Sequence, residues 1–174
     1  MIRDVPGRAP RVHPGAWVDQ AAQVIGDVEI GEESSVWFTS VLRGDVHMIR
    51  VGRGSNIQDG TIVHVNRRGT PSIIEDYVTV GHAARLHGCH IKSNCLIGIG
   101  AIVLDGAVLE EECLVAAGAV VSPGTLAPRG SVLMGTPARV KRQATAADLD
   151  LIYRSAKGYI ELSRDYLAAA RGAS

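Results

Sequence analysis

"IKSNCLIGIGAIVLDGAVLEEECLVAAGAVVSPGT" (residues 91–125) carries an aliphatic residue every six positions: Ile91, Ile97, Val103, Leu109, Val115 and Val121. Four places after each comes a small residue, Cys95, Ala101, Ala107, Cys113, Ala119 and Thr125. One place further, Leu96, Ile102, Val108 and Leu114 are aliphatic again. An α-helix cannot hold a six-residue period on one face, because six residues turn it through about 600°. Six residues do suit a short strand followed by a tight corner. The aliphatic side chain points in, and the small one fits the crowded interior near the next corner.

Working back along the chain, the same comb passes through Val12, Val18, Val24, Ile30, Val36 and Leu42, then Val51, Ile57 and Val63, then Ile74, Val80 and Leu86. Glycine recurs three places after the aliphatic residue, at Gly15, Gly54, Gly60, Gly100, Gly106, Gly118 and Gly124, where a corner can demand positive φ. Three such sides make a triangular coil, and stacked coils make a parallel β-solenoid. The regular pattern ends near residue 126, and "MGTPARVKR" is expected to lead away from the solenoid. Thr145, with Asp148 three residues on, reads as the N-cap of a helix. Leu149, Ile152, Tyr153, Ala156, Tyr159, Ile160, Ser163 and Leu167 then follow helical spacing. The expectation is one domain over 1–174, with a β-helix over about 10–140 and a helix over about 145–170 packed on its outside.

Composition agrees. The 174 residues are 46% hydrophobic but only 4% aromatic, so the core is aliphatic. Formal net charge is zero and no basic run occurs, which argues against nucleic-acid binding. No apolar stretch is long enough to span a membrane. "MIRDVPGRAP" lacks a signal-peptide core, so a cytoplasmic location is expected. The three cysteines, Cys89, Cys95 and Cys113, are read as buried thiols, with a Cys89–Cys95 pair left open.

Numbering the coils gives three histidines a meaning. Val51, Ile57 and Val63 are the sides of one coil, and Ile74, Val80 and Leu86 those of the next. His64 and His87 each follow the third side. They should stack about 4.8 Å apart and point outward, able to share one ion. His82 lies a corner away, roughly 16 Å of extended chain from His87. It is expected to serve a neighbouring subunit, so that a cyclic homotrimer would build each site from two histidines of one chain and one of the next. Arg43, Asp45, Asn56, Gln58 and Asp59 lie on the same stretch of solenoid. The carboxylates could orient the ligands or pair with Arg43, and Gln58 could hold a water.

"RGDV", "NIQDGTIVHV", "VTVGHAARLHGC" and "GIGAIVLDGA", in this order, resemble the γ-class carbonic anhydrase family, and specifically its short bacterial branch that includes the phenylacetate- and carnitine-operon accessory proteins. The resemblance covers about residues 10–168 and includes "YRSAKGYIELSRDYL". It implies left-handed coils, and His64, His82 and His87 as ligands of zinc, with iron or cobalt as alternatives. His82 would be donated across the trimer interface. It implies an inter-subunit Arg43–Asp59 salt bridge, and polar roles for Asp45 and Gln58 near the bound water. Asn56 is grouped with the interface residues, and Tyr159 of the terminal helix is implied to approach the metal cleft.

The implied activity is reversible hydration of CO2 to bicarbonate by a metal-bound hydroxide. A metal-dependent thioesterase of CoA esters, a non-catalytic metal-binding trimer and a hexapeptide acyltransferase are the alternatives. Two features depart from the archetype. Val46 follows "RGD" where a glutamate is usual, and the loop after His64 is short and basic, "NRRGTPS", where a proton-shuttle glutamate is usual. Proton removal would then fall to another base or to buffer.

Overall fold

The structure, a computed structural model, describes residues 1–172. It is a left-handed, three-faced parallel β-solenoid with one helix laid along it. One face stacks Trp17–Val18, Ser35–Val36, Asn56–Ile57, Thr79–Val80, Leu96–Ile97, Leu114–Val115 and Ser131–Gly135 as parallel strands. The other two faces join into a single twelve-stranded sheet. They join because Gln23–Ile30 and Val41–Val51 run on across the edge between them, with a register shift between Gly26 and Val28 at the corner.

The six-residue comb is the interior. Every aliphatic comb residue from Val24 to Val121 is buried, and Val12 and Val18 at the first coil are half-buried. At most coils the corner three places after the comb residue adopts positive φ, and it does so with glycine and non-glycine residues alike. Glycine takes it at Gly54, Gly60, Gly100, Gly106, Gly118 and Gly124, but Glu33, Thr39, Tyr77, Ala83, Asn94 and Glu112 take it too. Geometry of the coil therefore imposes the left-handed turn, and glycine only lowers its cost. Gly15, in the same sequence position, does not adopt it.

The solenoid also continues past residue 126, where the regular sequence pattern ends. Ala127 and Leu133 are buried on the comb. Ser131–Gly135 pairs in register with Leu114–Val115 before Ala138–Gln143 turns back antiparallel to cap the stack. The stretch "MGTPARVKR" thus closes the solenoid rather than leaving it. At the other end, Ile2–Arg3 pairs with Val24–Ile25, so strand structure begins before residue 10.

The C-terminal helix, α1 (Ala146–Gly172), starts on the capping box read from the sequence. The Asp148 carboxylate accepts from the Thr145 amide at 2.7 Å and its hydroxyl at 2.6 Å, and the Thr145 hydroxyl accepts from the Asp148 amide at 3.3 Å. The Arg142 guanidinium beside it, followed by these Thr145 bonds, holds the Asp148 carboxyl well below the usual carboxylate range. Ile152, Ala156 and Ser163 are buried against the first face. Lower down, Trp17, Trp37 and Tyr166 pack with ring centroids 4.5–5.3 Å apart, and Tyr159 meets Trp37 edge-on at 5.2 Å. These few aromatic rings anchor the helix, and with it the position of Tyr159. No described helix is long and apolar enough to cross a membrane. All three cysteines are free and buried, so Cys89 and Cys95 do not pair. Burial pushes the Cys89 thiol up to about 12.

Candidate metal centre

His64 ends the strand Ile62–His64, and His87 ends Arg85–His87 one coil on. The two residues are register partners, with ring centroids 5.3 Å apart. The loop between the coils leaves this register intact. Ser72 bridges the two strand ends, its hydroxyl donating to the His64 carbonyl at 2.8 Å and accepting from the Gly88 amide at 2.9 Å. His82 sits at the corner that precedes Arg85–His87, beside Ala83 at φ 57°. One face of the prism thus carries His82 at the corner before its strand and His87 at the strand's end. Among the described residues, no three His, Cys, Asp or Glu side chains of a single chain are arranged to hold a metal ion.

Each histidine is backed by a carboxylate. His64 Nε2 lies 3.0 Å from Asp45 Oδ1, His82 Nδ1 lies 2.9 Å from Asp59 Oδ2, and His87 Nδ1 lies 2.9 Å from Asp105 Oδ1. Such a contact fixes the tautomer and the ring plane. It leaves Nδ1 of His64 and Nε2 of His82 and His87 as lone-pair donors. Three imidazoles, each with one nitrogen held by a carboxylate and the other left to donate, are a donor set that fits a divalent transition metal. Desolvation works to raise the Asp45 pKa, but hydrogen bonds from His64 and Arg43 outweigh it and hold the carboxyl below its ordinary value.

Around the histidines, Gln58 and Asn56 are buried. Gln58 Nε2 donates to Asn56 Oδ1 at 3.1 Å, and Asn56 Nδ2 donates to Thr79 Oγ1 at 3.0 Å. This relay orients the Gln58 amide and leaves its Oε1 as an acceptor. Tyr159 of α1 brings its hydroxyl to 3.5 Å from His82 Nε2. Burial, and then the charge of Asp59, raise the Tyr159 pKa, so the phenol stays protonated near neutrality. Arg43 is ion-paired with Asp45 of its own chain, and no Arg43–Asp59 pair forms among the described residues of one chain.

Asp105 is the site residue that sequence reading passed over. It follows His87 by 18 residues, one full coil, so the signal was the coil count itself. Its approach depends on Gly88, where a Cβ would come within 2.6 Å of Asp105 Oδ1 at φ +53°. Asn66 Nδ2 also donates to Asp105 at 2.9 Å, tying the basic loop to the site.

Fold and site together define a hexapeptide-repeat β-solenoid with a carboxylate-backed histidine trio on two edges of one face. The hexapeptide-repeat family described as "Bacterial transferase hexapeptide (six repeats)" matches residues 88–123. A carbonic anhydrase from Geobacillus kaustophilus is 42% identical over 168 residues, covering 97% of this chain and 92% of that protein. The mitochondrial gamma carbonic anhydrases 2 and 1 of Arabidopsis thaliana are 44% and 45% identical, covering 94% and 96% of this chain. The chain spans 60% and 62% of the length of those two plant relatives. A solved hexapeptide transferase family protein from Anaplasma phagocytophilum superposes with a TM-score of 0.91 at 40% identity, covering 95% of this chain and 97% of that one. The chain belongs to the γ-class carbonic anhydrase family.

Proposed function

We propose that the protein is a carbonic anhydrase that hydrates CO2 reversibly at metal sites shared between the subunits of a homotrimer, within the cytoplasm. The observation that carries this reading is the carboxylate backing of His64, His82 and His87, with His64 and His87 stacked in register and His82 at the opposite edge of the same face. His64 and His87 of one chain and His82 of the next would hold a divalent ion, zinc being the first choice and iron or cobalt the alternatives. Such an ion supplies Lewis acidity that lowers the pKa of water to about 7.

The chain's own groups then position the reactants. The Oε1 of Gln58 accepts a hydrogen from the attacking water and aims its remaining lone pair at carbon. A C–O bond forms as the π pair of one C=O moves to oxygen, giving bicarbonate and one proton. Asp45, held ionised, keeps the His64 ring in place, and Tyr159 remains a hydrogen-bond donor at the His82 side. Val46 and the loop "NRRGTPS" supply no carboxylate for proton export, so buffer takes the proton. The test is stopped-flow CO2 hydration by metal-loaded protein, run beside hydrolysis of a short acyl-CoA. Hydration that rises with buffer concentration, with no thioester cleavage, supports the reading. Thioester cleavage without hydration replaces it with a hydrolase.

A further inference from the structure

The two edges that carry the histidines follow the same vertical order. On one, Arg43, His64, His87 and Leu104 occupy successive coils, since Leu42, Val63, Leu86 and Val103 beside them are register partners. On the other, Asp59, His82 and Ile99 succeed one another, the Ala83 amide donating to the Asp59 carbonyl and the Gly100 amide to the His82 carbonyl, each at 2.8 Å. Both edges therefore read charge, then histidine, then aliphatic residue. Ile99 is 59% exposed at this edge. It also borders a mostly aliphatic groove of about 330 Å³ that runs from Gln58 past Gly81 and Ala117 to Leu151 and Ser155 of α1.

We infer that Ile99 and Leu104 form the apolar wall that receives CO2, with the groove beside Ile99 as its approach. This rests on the proposed carbonic anhydrase reading. CO2 is small, uncharged and apolar, and an aliphatic surface beside the ion holds it without competing for ordered water. Bicarbonate carries a charge that this wall disfavours. In the proposed trimer, His82 of one chain meets His64 and His87 of the next. The same contact sets Ile99 above His82 facing Leu104 above His87, so both halves of the wall meet over the ion.

The test is Ile99→Ser in the metal-loaded full chain, with Leu126→Ser as control, because Leu126 is 74% exposed on another face. The KM for CO2 should rise about fivefold, the effect of losing ~40 Å² of apolar contact, with kcat, metal content and molecular mass in solution unchanged. In the dehydration direction the KM for bicarbonate should hold, and kcat should fall by the same factor, as the overall equilibrium requires. Leu126→Ser should change none of these. An unchanged KM for CO2 in Ile99→Ser overturns the inference and leaves the carbonic anhydrase reading standing. Loss of trimer mass or metal in that variant assigns Ile99 to subunit packing and also overturns it. A metal-loaded wild-type protein that hydrates no CO2 removes the carbonic anhydrase reading itself, and the inference with it.

Discussion

Two dead variants should make a live enzyme when mixed. His64→Ala removes a ligand from the half-site that a chain keeps, and His82→Ala removes the ligand that it lends to its neighbour. Each pure homotrimer then lacks one imidazole at every interface. Unfold and reassemble equal amounts together, and an interface is complete when a His82→Ala chain supplies His64 and His87 while a His64→Ala chain supplies His82. Each condition holds half the time under random assembly, so about one quarter of wild-type activity returns, and every mixed trimer holds one intact site. CO2 hydration and metal content should recover in the same proportion. His82 sits at the corner before the strand that His87 closes, and no three-ligand set exists among the described residues of one chain. Recovery of no activity in verified mixed trimers refutes the shared site.

Other perturbations give further outcomes. Asp105→Asn should weaken metal binding about 10- to 100-fold, read by competition with a chelator, because it frees the His87 ring to rotate. Ile97→Ala, at a fully buried comb position, should cost about 3 kcal/mol in urea unfolding. Glu75 is desolvated, which raises its pKa, but hydrogen bonds from His90 at 2.7 Å and Ser93 at 3.1 Å outweigh this and lower it from 4.5. Its stabilising contribution is therefore full above pH 4.5 and is lost as pH falls through the lower folded value. Glu75→Gln should remove that part of the acid-unfolding limb and leave the neutral region flat, as followed by circular dichroism.

The fold was legible because each coil repeats one packing problem. A buried aliphatic residue at Ile97 requires a small one at Cys95 and Ala101, and the chain restates this coil after coil. The corner turn was only half legible. Glycine marks it at Gly100 and Gly118, while Asn94 and Glu112 adopt the same φ with no sequence sign, since the stacked coils enforce it. The regular comb looked finished near residue 126 because Ala127 occupies a large-residue position and the cap at Ala138–Gln143 reverses direction.

At the site, His64 over His87 follows from counting coils. Asp105 was hidden because a partner 18 residues away looks distant until the coil length is used as the ruler. Tyr159 reaches His82 through an aromatic anchor on α1 that no periodicity announces.

The most direct measurement is anomalous diffraction at the zinc edge from crystals of zinc-loaded protein. The account predicts one peak at each subunit interface, within about 2.0–2.1 Å of imidazole nitrogens from His64 and His87 of one chain and His82 of its neighbour. A peak held by a single chain, a peak away from these histidines, or no peak in a protein that still hydrates CO2 would contradict it.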